Sequence, residues 1–241
     1  ENEAEMLPTK ETHLAPMVSD PVVARFIETE EDESGLLRSI RFKNTENYNF
    51  VYDTVDAIAA KTPDKLAMLY LDSEKNERRF SFADLRDLSA RAANYFVSLG
   101  VREGDRVMLV LKQHWQFWVA ILALHRIGAV AIPATCQLME KDFTYRFNKV
   151  GVSMLVCTGD GVTAAEAESA AAKIGGITLV MAHGKRDGWL DFDTEWEKAS
   201  DVFPRRETKA DEPMLMYFTS GTSGSPKMAL HMHTLALGHL T

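Results

Sequence analysis

The sequence predicts an α/β fold: a mainly parallel sheet flanked by helices. Three observations carry this expectation. From Tyr48 onward, apolar runs of strand length alternate with helical stretches of roughly 10–15 residues, the pattern of βαβ units with right-handed crossovers. Val107–Leu111 is apolar at every position, as expected of a strand covered on both sheet faces. Pro63, Gly100, Gly128 and Pro133 fall at the ends of such runs rather than inside them.

Taken in order, residues 1–47 show weak periodicity, the prolines Pro8, Pro16 and Pro21, and clustered charge. They read as an N-terminal extension that lies along the surface or is partly disordered. Arg38–Phe42 is compatible with a short strand. From Tyr48 the pattern changes: Phe50, Val55, Ile58 and Ala59 recur at helical spacing up to Pro63. Leu66–Leu71 has strand character, and the charged stretch Asp72–Arg79 turns it toward Arg79–Phe82 as a hairpin. Ser81 followed by Asp84 is a capping-box start with Asp in place of Glu. Leu85, Leu88, Ala92, Phe96 and Leu99 then form one buried helical stripe, stopped at Gly100.

After Val107–Leu111 comes a helix over Trp115–Ile127, closed by Gly128, and a buried strand Ala129–Ile132 ended by Pro133. Helices are expected at Asp142–Val150 and Ala164–Ile174, and strands at Met154–Cys157 and Ile177–Met181. Trp189–Ala199 reads as a short amphipathic helix, and Phe203–Pro213 as a charged connection.

Composition bounds the function. The 241 residues suffice for a sizeable core, with about 70–75% of the unfolded chain's surface removed from water. An apolar share of 46% and a charged share of 26% are those of a soluble globular chain. The 35 acidic against 27 basic residues give −8, which disfavours nucleic acid and anionic membrane as general partners. Trp115–Met139, the longest apolar region, is broken by Arg126, Gly128 and Pro133 and is no bilayer span. Cys136 and Cys157 read as reduced buried thiols. With the acidic run Glu28–Glu33 and no Arg-rich leader, the expected address is cytoplasmic.

The chemistry concentrates in Tyr217–Met228, YFTSGTSGSPKM. Gly221 and Gly224 permit a tight turn whose free N–H groups can face an anion. Thr219, Ser220, Thr222, Ser223 and Ser225 carry hydroxyls, Pro226 fixes the exit, and Lys227 brings one mobile charge. A Walker A loop needs Gly-Lys-Ser/Thr, but Pro226 precedes Lys227 and Met228 follows it. The dinucleotide fingerprint does not fit the spacing of Gly221 and Gly224. The Ser of an S-x-x-K pair would stand where Gly224 does. The residues therefore leave two readings open: a grip on nucleoside triphosphate, or an ordinary Gly/Ser linker.

The stretch T-S-G-T-S-G-x-P-K resembles the phosphate loop of the AMP-forming acyl-adenylate superfamily. Within it the chain is most similar to the medium-chain acyl-CoA synthetases, through YNFVYDTVD, GVREGDRVMLVL, IGAVAIPATCQLMEKDFTYRF and DGWLDFDTEWEKAS. The resemblance implies that residues 48–241 are the N-terminal portion of an adenylation domain, truncated relative to complete members more than twice as long. It implies ATP, Mg²⁺ and coenzyme A as cofactors or co-substrates and a small carboxylic acid as substrate. The acid attacks the α-phosphorus of ATP to give an acyl-adenylate and pyrophosphate, and the thiol of coenzyme A then displaces AMP. Thr219–Lys227 would hold the β- and γ-phosphates, with Lys227 following the departing pyrophosphate.

Gln137 matches the Gln of the family's coenzyme A-touching P-G-T-x-Q-M segment, although Ala134 replaces its Gly and Leu138 its Met. The adenine and ribose pocket, the acidic Mg²⁺ ligand, the hinge and the catalytic Lys would lie beyond Thr241, so no catalytic residue is assigned within the chain. The 241 residues alone are expected to be inactive. A non-enzymatic nucleotide-binding module and an aryl- or amino-acid-activating relative are the alternatives. No metal site is expected here, although His231 and His233 share a strand face if that strand continues. Trp115, Phe117 and Trp118 read as wall aromatics, and the clusters Glu28–Glu33 and Asp191–Glu197 as solvated faces.

Overall fold

The computed structural model describes residues 21–220 and 224–239. β1 (Ile27–Glu31) and β2 (Leu37–Phe42) pair antiparallel, so the expected strand is one arm of a hairpin. This part of the N-terminal stretch lies at the surface yet is anchored. Val23, Phe26 and Ile27 pack with Tyr48 and Leu237, and the Phe26 and Tyr48 rings meet edge to face at 4.9 Å. Its periodicity is weak because little of the hairpin beyond Ile27 is buried. Glu28, far from merely solvated, is held by Arg41 and Lys43.

The segment after Tyr48 is helical as its spacing predicts, but Val51–Asp56 forms a π-turn before α1 (Ala57–Lys61). Asn49 explains the tight entry: its side chain accepts from Val51 N at 3.0 Å and donates to the His125 carbonyl at 3.1 Å. β3 (Leu66–Leu71) and β4 (Glu77–Ser81) make a second hairpin. The Asp72 carboxylate holds its turn, accepting from Glu74 N and Asn76 N at 2.8 Å each. α2 (Phe82–Ser98) opens with the capping box, Asp84 N reaching Ser81 Oγ at 3.1 Å and Ser81 N reaching Asp84 Oδ2 at 2.8 Å.

The main body follows in order: β5 (Arg106–Val110), α3 (Gln116–Ile127), β6 (Val130–Pro133), α4 (Glu140–Val150), β7 (Val152–Thr158), α5 (Thr163–Ile174) and β8 (Thr178–Ala182). Each coincides with a sequence expectation to within a few residues. The expected helix over Trp189–Ala199 does not form as one element. Leu190–Asp191 pairs with β8 as β9, and α6 (Phe192–Glu195) is a single turn followed by a 3₁₀ turn, Trp196–Lys198. Asp191 caps that turn, accepting from Thr194 N at 3.2 Å. β10 (Pro213–Thr219) and β11 (Lys227–Met232) close the sheet's far edge, and Lys227 begins the strand that follows the loop.

The sheet runs β11-β10-β6-β5-β7-β8-β9. All neighbours are parallel except the β10–β11 hairpin. Alternate residues of β5 serve two cores. Val107, Leu109 and Leu111 face α2 and α3, whereas Met108 and Val110 face α4 and α5. From β5 the chain passes to β6 on one side and then to β7 on the other, so strand order reverses beside β5. In open α/β sheets, ligands bind outside the carboxyl ends of strands at such a reversal. Because β10 is parallel to β6, the carboxyl ends of β10, β6, β5, β7 and β8 share one sheet edge.

Candidate functional site

The Gly/Ser/Thr-rich segment is the mouth of the β10–β11 hairpin. Thr219 opposite Lys227 is the last register pair, and Thr219 Oγ1 donates to the Lys227 carbonyl at 3.4 Å. The loop therefore projects from the carboxyl end of β10. Thr219, Ser220, Gly224, Ser225 and Lys227 are exposed, and Pro226 is half-buried. Gly221, Thr222 and Ser223 lie outside the described residues. Gly224 adopts φ +94°, and a Cβ there would meet nothing within 4 Å. Backbone conformation, not crowding, demands glycine at this point.

Helix α4 supports the mouth from below. Tyr145 Oη donates to the Pro226 carbonyl at 3.2 Å, and its ring packs edge-on against Phe218 at 6.3 Å. The Arg146 guanidinium stands over the Phe218 ring at 5.1 Å, one residue before the loop begins. Burial pulls the Arg146 pKa down, with Asp142 opposing. The sequence reading missed Arg146. Its signal was a cation beside Phe147 on the stripe that Phe143 and Phe147 turn toward the sheet. Lys227 has no ion pair among the described residues and is free to meet an anion.

Gln137 follows β6 on the same sheet edge, two strand positions from the hairpin's outer strand. It is exposed, its backbone N–H donates to Thr135 Oγ1 at 3.3 Å, and its side chain makes no hydrogen bond among the described residues. His231 and His233 do not form a pair on a strand face. β11 ends at Met232, so His231 packs against Tyr217 while His233 starts a 3₁₀ turn and meets buried His125 at 5.9 Å. Trp115 is a wall aromatic, its ring tilted by 33° against Phe80 at 5.4 Å, whereas Trp118 is exposed. The cluster after Asp191 is more than a solvated face, because Asp193 accepts from Gln116 Nε2 at 2.9 Å and from His183 N at 2.7 Å.

Fold and hairpin together describe an α/β domain of the adenylate-forming type. The chain belongs to the AMP-binding enzyme family, whose model matches residues 55–239. Curated relatives include the rat mitochondrial acyl-coenzyme A synthetase ACSM4, 32% identical over 201 residues, covering 80% of this chain and 35% of the relative. Human mitochondrial acyl-coenzyme A synthetase ACSM3 is 34% identical over 197 residues, covering 78% and 33%. The chain thus spans about a third of the length of these relatives. Among solved structures, a Brucella canis acyl-CoA synthetase superposes with a TM-score of 0.69 at 23% identity, covering 81% of this chain and 35% of that one. An anthranilate CoA ligase in complex with anthranoyl-AMP superposes at 0.66 and 19% identity, covering 78% and 35%. These two likenesses show the shared fold.

Proposed function

We propose that the chain is the phosphate-gripping, N-terminal part of the adenylation domain of an ATP-dependent acyl-CoA synthetase, joining a carboxylic acid to coenzyme A through an acyl-adenylate. The observation that supports this most is the hairpin mouth. The segment between Thr219 and Lys227 leaves the carboxyl edge of a parallel sheet, with Thr219, Ser220 and Ser225 exposed and Lys227 without an ion pair among the described residues. In this reading Lys227 and the loop's N–H and hydroxyl donors hold the β- and γ-phosphates. The stiff β10–β11 ladder sets their direction, and Tyr145 fixes the exit through the Pro226 carbonyl. Pyrophosphate leaves with its charge still met by Lys227, which lowers the cost of the charge developing on the bridging oxygen. Gln137, on the same edge, is read as a contact for coenzyme A.

Mg²⁺ accompanies ATP in this reading, but the described residues of the loop do not fit it. They offer hydroxyls and an ammonium, not the carboxylates a hard dication prefers. Its ligand is assigned to residues beyond Thr241, and no step here runs through it.

Titrating the chain with ATP, pyrophosphate and AMP tests the proposal. Lys227→Ala is expected to weaken ATP and pyrophosphate by roughly tenfold, the scale of one charge-assisted contact, and to leave AMP unchanged. Equal binding of all three by both proteins would remove the phosphate reading. Pyrophosphate release from ATP with fatty acids is expected to be absent for the 241 residues alone, and sustained turnover would overturn the assignment of catalysis to later residues.

A further inference from the structure

Beside β5, where strand order reverses, the loops after β5, β7 and β8 bring His114, Asp160 and His183 together. His114 Nε2 lies 3.1 Å from Asp160 Oδ2, and His183 Nε2 lies 3.8 Å from Asp160 Oδ1. One donor atom from each of the three falls within 4.8 Å of the others. The two imidazoles stack, centroids 3.8 Å apart and planes inclined by 22°. The cluster opens into a cavity of about 670 Å³, lined on its other side by Tyr70, Leu71 and Asp72 at the end of β3. We propose that His114, Asp160 and His183 form a binding site for a divalent transition-metal ion of the zinc class.

Four features carry this. Two imidazoles and one carboxylate are the borderline donor set such ions take, leaving a fourth position for water. The residues are remote in sequence, so their meeting is a product of the sheet's topology. Two non-glycine residues of the cluster's loops hold left-handed backbone, Lys112 at φ +49° and His183 at φ +56°. Such conformations persist only where the surroundings impose them. The frame around the ligands is built as well: Asp193 holds the His183 N–H at 2.7 Å, and Thr158 Oγ1 accepts from Asp160 N at 3.2 Å. Gly159 lets the β7 and β8 loops close, since a Cβ there would stand 3.0 Å from the His183 carbonyl oxygen.

Binding requires two local changes. Lys112 Nζ, now 3.0 Å from Asp160 Oδ2, must give way to the ion. The stacked rings cannot both point in-plane at one ion, so the His183 side chain, 49% exposed, swings while His114, 12% exposed, stays.

The test is calorimetric titration of metal-free full chain with ZnCl₂, backed by Co²⁺ absorption. One equivalent is expected. His114→Gln and Asp160→Asn should each weaken it at least tenfold, as should His183→Asn, in which Asn tolerates the left-handed backbone. Lys112→Asn, which removes the competing ammonium at a position Asn also tolerates, should tighten it severalfold. Circular dichroism verifies folding of each variant. No uptake by the wild-type chain, uptake surviving His114→Gln and His183→Asn, or Lys112→Asn with unchanged affinity would each overturn the site.

Discussion

β5 and the β10–β11 hairpin belong to one sheet, yet they are built on opposite principles. Val107, Met108, Leu109 and Val110 are each 0% exposed, whereas Tyr217, Met228 and Leu230 stand 38%, 43% and 44% exposed. β5 is covered by helices on both faces; the hairpin joins the core through Met214 and Leu215 but keeps Tyr217, Met228 and Leu230 largely in water. The contrast teaches where stability and chemistry reside. The body around β5 holds the fold, and the hairpin, least buried, carries the groups proposed to meet phosphate.

The segment just after the hairpin meets the body where His233 contacts His125 of α3, and the largest expected effect falls there. His125, on α3, is 3% exposed, and burial followed by His233 pulls its pKa down to about 3. Burial pulls His233 down to about 4, with Arg206 acting the same way and Glu212 and Asp53 opposing. The backbone of Met214 opposes weakly at His125. A folded-state pKa below the unfolded value of about 6.5 means that the unfolded chain binds protons first as pH falls. Stability is therefore present above that value and lost on acidification toward the folded values. The slope is at most about 1.4 kcal/mol per pH unit for each histidine, about 5.5 kcal/mol across two units for the pair. Denaturant melts between pH 7 and 4.5 measure it, and His125→Phe should remove about half the slope. An unchanged slope would show that the two regions are not coupled through this contact.

Next comes the body itself. Leu109→Ala deletes a side chain packed between β5's neighbours and the α2–α3 layer, and should cost about 2–5 kcal/mol in a denaturant titration. The parallel body was legible in the sequence for the same reason. Its strands are buried on both faces, so they appear as uninterrupted apolar runs, and its helices stop at glycines such as Gly128, which holds φ +81°. What was not legible depends on contacts between distant residues. Asp191 ends β9 and caps α6, which no helical periodicity reveals. Val23, Phe26 and Ile27 look like scattered apolar residues until Tyr48 and Leu237 arrive beside them. The loop's composition marked the hairpin mouth, but Arg146 beneath Phe218 and the meeting of His114 with Asp160 follow from topology alone.

The hairpin is expected to show the reverse behaviour. Lys227→Ala removes an exposed charge that has no ion pair among the described residues, so melting should stay within about 0.5 kcal/mol of the parent while pyrophosphate affinity falls. Loss of stability together with loss of binding would mean that Lys227 supports the hairpin rather than meeting phosphate.

A small effect on β11 sharpens the comparison most. Leu230 lies on β11, 44% exposed, opposite Met216 in the register, with the sheet edge beyond it. Were the hairpin held by burial as β5 is, Leu230→Ser would cost several kcal/mol. Leu230 is only about half covered, so the change is expected to cost about 1 kcal/mol by denaturant titration. The substitution should also reduce self-association, because an uncovered apolar edge strand pairs readily with other chains. A large loss of stability at Leu230 would mean that β11, and not only Met214 and Leu215 of β10, belongs to the body's core, and the separation of holding from binding would fail.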